Sequence, residues 1–377
     1  MLNDAVLLLS PFRHSFSQLS SGAAAGAIPT TTSKITPQSP SLGATVDGVV
    51  QSSMQQTGVP GITVALAKNG SMLYVQGYGV TDLTTHQATP SGTIFEIGSI
   101  TKQFTAALIM KLQEQGKLRV DDSIVGYLPE YNFPSVITLR MLLTHTSGLA
   151  DYTNFPQLGD WVKNGVAEAA VLNAVSQAPL VFQPGTQYSY SNSNYFALGT
   201  IIEQLTGQSY AANLNQAILQ PLGLQNTFYA LPPASSSATG YTNNGTELVS
   251  AILWDRSAAF AAGAMSSNVY DLVTWNNALM NGKVVSPTSF QAMTTSNGFT
   301  DSKGNSYGFG LALYRFNGRP IMWHAGQIGG FYAENVVFLD SGFNLIALTN
   351  DQDVSTDPLV FKLLNAVCNS TQLSGNC

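Results

Sequence analysis

Ser99 and Lys102 are the first residues in this chain whose types and spacing suggest chemistry. They stand in Phe95-Glu96-Ile97-Gly98-Ser99-Ile100-Thr101-Lys102, directly before the apolar run from Gln103 to Leu112. Three residues apart on a helix, the two side chains share a face and reach each other. A serine hydroxyl beside an amine is one route to an activated nucleophile, with lysine as the proton acceptor in place of histidine. Gly98 reads as a tight turn feeding the first turn of a buried helix. There, unpaired N–H groups and the positive end of the dipole face any developing negative charge. Ser-x-x-Lys alone is a weak signal; two distant segments strengthen it.

The first of these runs from Phe182 to Asn192. Pro184-Gly185 marks a turn, and alternating aromatics bring Tyr190 to a loop just before a helix. A phenol there accepts a proton if a nearby ammonium depresses its pKa. Asn192 offers an acceptor and donors for a substrate amide; its plainer role is to cap the next helix. The second segment is Trp323-His324-Ala325-Gly326-Gln327, at the end of a predicted strand and before Ile328-Gly329-Gly330. Small residues after His324 allow a substrate to lie along the strand edge. With that strand beside Ser99, the N–H of Gln327 joins that of Ser99 as a two-donor oxyanion hole. Read alone, His324 is a structural histidine at a strand end. The histidines at 14, 86, 145 and 324 lack metal-ligand spacing, so neither metal nor cofactor is expected. His145 reads as tying down a loop by hydrogen bonds, and Glu96, next to the nucleophile turn, has no better claim as a base than a solvated carboxylate. There is no Gly-x-Ser-x-Gly elbow.

The elements that must position these residues follow from periodicity and turn chemistry. Residues 46–54 have helical spacing, and 61–67 and 71–79 read as a hairpin of strands around Lys68-Asn69-Gly70. The Ser99 helix should run to Gln115 and stop at Gly116. Further helices are predicted over 137–145, 167–177, 195–206, 210–218, 268–280 and 286–293, with a polar surface excursion over 232–245. Strands return at 307–314, 320–324, 331–339 and 344–349, before a closing helix over 354–367. Strands at both ends with helices between predict an α+β fold: one antiparallel sheet built from both termini, with a helical lobe at about 117–262 beside it. The domain then spans 46–367, after a Ser/Thr/Pro/Ala-rich lead-in over 1–45 and before a short tail, 368–377.

A chain of 377 residues with 44% hydrophobic and 10% charged residues can bury a substantial core. A net charge of −6 gives no basic face for nucleic acid, and no apolar run approaches the roughly 18 residues of a membrane helix. The two cysteines, Cys368 and Cys377, could staple the tail, which would point to a periplasmic or secreted protein. A clear export signal is missing, because the N-terminus lacks a basic region and its apolar core is short. Oligomeric state is not legible.

Taken together, Gly98-Ser99-Ile100-Thr101-Lys102, Leu142-Leu143-Thr144-His145-Thr146-Ser147-Gly148-Leu149, Pro184-Gly185 through Tyr190-Ser191-Asn192, and His324-Ala325-Gly326 occur in the order found in a known family. The chain resembles the serine β-lactamase and penicillin-recognising proteins, over about 46–364. The closest branch is that of class C β-lactamases, D-Ala-D-Ala carboxypeptidases, D-aminopeptidases and related esterases. The resemblance implies that Ser99 is acylated, that Lys102 and Tyr190 form its general-base pair, and that Asn192 contacts the acyl amide. His324 stands where many class C lactamases have the lysine of Lys-Thr-Gly, which weakens a lactamase assignment. With no cation before Arg315 near the His324 strand, and with Tyr152, Trp161, Trp254 and Phe331 as an expected aromatic rim, the pocket reads as one for uncharged groups. Arg256 or Arg315 could still fold inward. The favoured activity is cleavage of small esters or amides. The alternatives are a peptidase or lactamase and, in another class, a penicillin-binding or peptidoglycan-sensing module without turnover.

Overall fold

The structure, a computed structural model, describes residues 41–229, 236–300 and 304–368. Its frame is an eight-stranded antiparallel sheet made from both ends of the chain. In chain order the strands are β1 (Gly61–Lys68), β2 (Ser71–Asp82), β3 (Gln87–Ala88), β4 (Ser306–Tyr307), β5 (Ala312–Phe316), β6 (Arg319–Ile328), β7 (Phe331–Phe338) and β8 (Phe343–Thr349). They lie side by side as β3-β2-β1-β8-β7-β6-β5-β4. The long-range pairing of β1 with β8, Ile62 opposite Thr349 through Lys68 opposite Phe343, joins the two ends.

β7 and β8 are buried throughout, which is why their sequences run apolar rather than alternating. Their side chains still alternate between two cores. Ala65, Ala67, Ala333, Ile346 and Leu348 face the helical side. Val64, Leu66, Val336, Leu345 and Ala347 face an outer layer made by α1 (Leu42–Thr57) and the C-terminal helix Asp357–Cys368.

On the inner side, α2 (Thr101–Glu114) is buried along nearly its whole length. The Phe104 ring stacks on Trp275 at 3.9 Å between centroids. Gln103 Oε1 accepts from Trp275 Nε1 (3.0 Å) and Asn335 Nδ2 (3.3 Å), pinning α2 to β7 and to the helix Val269–Met280. Beside α2 lie α3 (Asn192–Thr206) and α4 (Arg256–Gly263). Gly199 lets α3 and α4 meet, because a Cβ there would stand 2.5 Å from Ala261 Cβ.

Several boundaries differ from the sequence expectation. Ser99 lies in a single 3₁₀ turn, Gly98–Ile100, ahead of α2 rather than inside it. The helix expected over 137–145 is only Leu139–Leu143, because His145 turns the chain with φ +58°. The helix expected over 210–218 becomes one α turn followed by a π turn at Asn215–Leu219. The strand expected over 307–314 is split by Gly308 and Gly310, while β6 runs on to Ile328. Part of the excursion expected over 232–245 lies outside the described residues. So do Cys377 and the expected Cys368–Cys377 bridge on which the periplasmic or secreted placement rests. Among the described residues no helix is long and apolar enough to cross a membrane.

Candidate active site

The Ser99 turn is held from three sides. Before it, Phe95 and Glu96 pair with Ser267 and Ser266, and Glu96 forms a buried ion pair with Arg256 (3.0 Å). Glu96 is therefore a buried clamp, and Arg256, expected as able to fold inward, is held by it and does not line the cavity. Behind it, Thr101 Oγ1 donates to Gly98 O (2.7 Å) and accepts from Met265 N (3.2 Å). On the third side runs β6. A Cβ on Gly326 would fall 1.9 Å from Ile97 O and 2.9 Å from Ser99 N, so only glycine permits this approach.

β6 also has an open edge here. Its pairing with β5 ends at Trp323, while its pairing with β7 continues to Ile328. Gln327 N and O both lie within 3.0 Å of where a Gly98 Cβ would stand, so they face the Ser99 turn. Two backbone N–H groups, those of Ser99 and Gln327, thus border one small space.

Lys102 is fully buried and its Nζ has three neighbours. They are Ser99 Oγ (3.0 Å), Asn192 Oδ1 (2.8 Å) and Ala262 O (2.7 Å). The last partner exists because α4 is broken at Phe260 (φ 41°, ψ −137°), which swings the following carbonyls toward α2. Ala261 O is taken by Thr105 Oγ1 in the same way (2.7 Å). A non-glycine residue in this backbone region is strained, and such strain gathers at working sites. Burial lowers the Lys102 pKa to about 7, against an opposing pull from Asp151. Near neutral pH much of this amine is therefore uncharged and able to accept the Ser99 proton.

Asn192 is held at both ends, accepting from Lys102 and donating through Nδ2 to Asp151 Oδ2 (3.0 Å). Its expected contact with substrate is thus already largely occupied by protein partners. Asp151 and the Ala262 carbonyl went unnoticed in the sequence.

Tyr190 reaches the site from the loop before α3. Its ring lies 4.9 Å from Lys102 Nζ, and its hydroxyl is buried without a hydrogen-bond partner of good geometry. Burial pushes the phenol well above its ordinary pKa, outweighing a downward pull from Ser99. This corrects the expectation of a depressed phenol, since desolvation dominates. His145 supports the loop: its carbonyl accepts from Ser189 N (3.0 Å) and its Nδ1 from Ser191 N (3.2 Å) and Asn194 Nδ2 (3.1 Å). Its ring lies 4.3 Å from that of Tyr190.

His324 Nδ1 faces its neighbour's carbonyl, Ala325 O (2.6 Å), so Nδ1 carries the hydrogen and Nε2 accepts from the Tyr307 hydroxyl (2.9 Å). Burial and the nearby Lys102 push its pKa down to about 3, so the imidazole is neutral. Both ring nitrogens are engaged within the protein. A cavity of about 550 Å³ opens over Ser99, Tyr190, Asn192, His324 and Gln327, and its lining includes no lysine or arginine. Of the four expected rim aromatics only Trp254 borders this cavity; Tyr152 and Phe331 are buried and Trp161 packs on the core. Arg315 lies on β5 and bonds to Gly318 O. The described residues include no cluster of metal-ligating side chains.

The Beta-lactamase family profile matches residues 46–363. The chain belongs to that family. It is a β-lactamase-like serine hydrolase, with the large antiparallel sheet flanked by helices that this fold implies. Among curated relatives, the protein flp of Staphylococcus aureus (strain NCTC 8325 / PS 47) is 26% identical over 341 residues, covering 87% of this chain and 67% of flp. Among solved structures, the octameric penicillin-binding protein homologue from Pyrococcus abyssi aligns with TM-score 0.76 at 25% identity, covering 88% of this chain and 78% of that one. The D-amino acid amidase from Ochrobactrum anthropi SV3 aligns with TM-score 0.77 at 25% identity, covering 87% and 99%.

Proposed function

We propose that this protein hydrolyses small uncharged carboxylic esters, and amides less readily, through an acyl-Ser99 intermediate. The observation that carries the reading is the buried Lys102 amine 3.0 Å from Ser99 Oγ, its pKa lowered to about 7. In the proposed cycle, neutral Lys102 takes the Ser99 proton as Oγ bonds to the substrate carbonyl carbon. The carbonyl oxygen becomes an oxyanion between the N–H groups of Ser99 and Gln327. The oxyanion collapses, the bond to the leaving alcohol or amine breaks, and the proton on Lys102 passes through the neutral Tyr190 hydroxyl to the leaving atom. Water then attacks the acyl carbon by the same route, releasing a carboxylic acid and restoring Ser99. Asn192 and Asp151 hold Lys102 in line, and His324, with Gly326, shapes the edge along which substrate lies.

The cation-free lining argues against enzymes that seize a free carboxylate, since a carboxypeptidase or lactamase needs a cation to receive it. The Asp151 carboxylate in the same lining favours, as a second reading, amides or esters that carry a free amine, in keeping with the D-amino acid amidase neighbour. The purified protein is tested on p-nitrophenyl acetate, an amino acid amide in both hands, a D-Ala-D-Ala peptide and nitrocefin. Ester turnover that disappears in Ser99→Ala is expected. Equal turnover in that variant refutes the mechanism, and a stable penicillin adduct by intact mass without turnover points to the binding-module alternative.

A further inference from the structure

Ser99 stands where two recesses meet. The larger is the 550 Å³ cavity already described. The smaller, about 70 Å³, is walled by Tyr152, Trp254, Ala259, Ala262, Gly263 and Ile328. Tyr190 and His324 line the larger and not the smaller, while Ser99, Thr153, Asn192, Trp254, Gln327 and Ile328 border both.

This division has a chemical direction. The group that needs a proton as its bond breaks is the leaving alcohol or amine, and Tyr190 is the hydroxyl placed to pass one. The leaving group therefore belongs on the Tyr190 side, in the larger cavity. With the carbonyl oxygen turned toward the Ser99 and Gln327 N–H groups, the remaining substituent, the acyl chain, is directed into the smaller recess. A recess of this size suits a short acyl group rather than a long chain.

The floor of the recess does not yield easily. It belongs to the segment kinked at Phe260, whose Ala262 carbonyl holds Lys102 at 2.7 Å. Moving the floor to admit a longer chain would pull that carbonyl from the amine.

We infer that the small recess is an acyl-length filter, with Trp254, Ala259 and Gly263 setting the limit. The inference rests on the proposed acyl-Ser99 mechanism and adds which part of the substrate is restricted. Gly263 gives a clean probe: a Cβ there would meet Ala259 Cβ at 3.6 Å and Gly98 C at 3.8 Å, ordinary contacts, so alanine narrows the recess without strain.

The test measures kcat/KM for p-nitrophenyl acetate, butyrate and octanoate, which share one leaving group. A second series uses acetates of alcohols of matched acidity and rising size. We expect at least about a tenfold fall from butyrate to octanoate, and less than about threefold variation across the alcohols, since each methylene that fails to fit costs of this order. Gly263→Ala should lower the butyrate-to-acetate ratio about fivefold or more, and Trp254→Ala should raise the octanoate-to-acetate ratio about tenfold. A flat acyl series, or discrimination that appears only among the alcohols, overturns the filter while leaving the Ser99 mechanism standing. An absence of any Ser99-dependent turnover in both series overturns the mechanism and the filter together.

Discussion

The two sides of Ser99 are built on opposite principles. Toward the helical lobe, Lys102 Nζ has three partners and Asn192 is bonded at both ends of its amide. Toward the Tyr190 loop, the Tyr188 hydroxyl, Ser191 Oγ and His145 Nε2 are buried without hydrogen-bond partners, and the Tyr190 hydroxyl, near Ser99, has none of good geometry. The saturated side fixes one amine at one distance from one hydroxyl. Of the four residues on the unsaturated side Tyr190 alone lines the cavity, so its hydroxyl is the one placed to meet groups that substrate brings. Leaving buried polar atoms unpaired lowers stability, and sites that work commonly carry such a cost.

Single substitutions should therefore behave differently on the two sides. The largest effect is expected from Lys102→Ala, a loss of about 10³-fold or more in kcat/KM, because the proton acceptor goes and Ser99, Asn192 and Ala262 lose their shared partner. Tyr190→Phe should cost about 10²-fold in kcat/KM. Its stability in urea should stay level or rise, since it deletes a hydroxyl that makes no good hydrogen bond in the folded state. A marked stability loss in Tyr190→Phe would erase the contrast. His145→Ala should show the converse, losing about 3 kcal/mol in urea unfolding as Ser191 N and Asn194 Nδ2 lose their acceptor. Unchanged stability there would mean that the loop is held without the ring.

The sheet was legible in the sequence because its strands are apolar runs between glycine-marked turns, and the structure builds the expected antiparallel sheet from both ends. Helix ends were less legible. The residues around His145 look helical, and only a left-handed backbone conformation at His145 itself cuts the helix short. Within the site, the approach of Lys102 to Ser99 follows from helical spacing, and the meeting with Asn192 follows from a motif. Asp151 gave no such sign, because its tie to Asn192 crosses 41 positions of sequence and depends on how a loop closes. The Ala262 carbonyl gave none either, since backbone groups have no letter, and its aim depends on the kink at Phe260. The direction of the Tyr190 shift was misjudged for a similar reason: proximity to an ammonium was foreseen, but the extent of burial that outweighs it was not.

In the proposed mechanism Lys102 works as a neutral amine. The direct measurement is kcat/KM for p-nitrophenyl acetate from pH 5 to pH 9, in the wild type and in Asp151→Asn. Because the amine must lose its proton to act, activity should rise with pH through a midpoint near 7, the value to which burial lowers Lys102. The Asp151 carboxylate favours the ammonium form, so removing its charge should move the midpoint to lower pH. A wild-type profile that is flat across this range, or still rising steeply at pH 9 as an ordinary lysine would require, contradicts the claim.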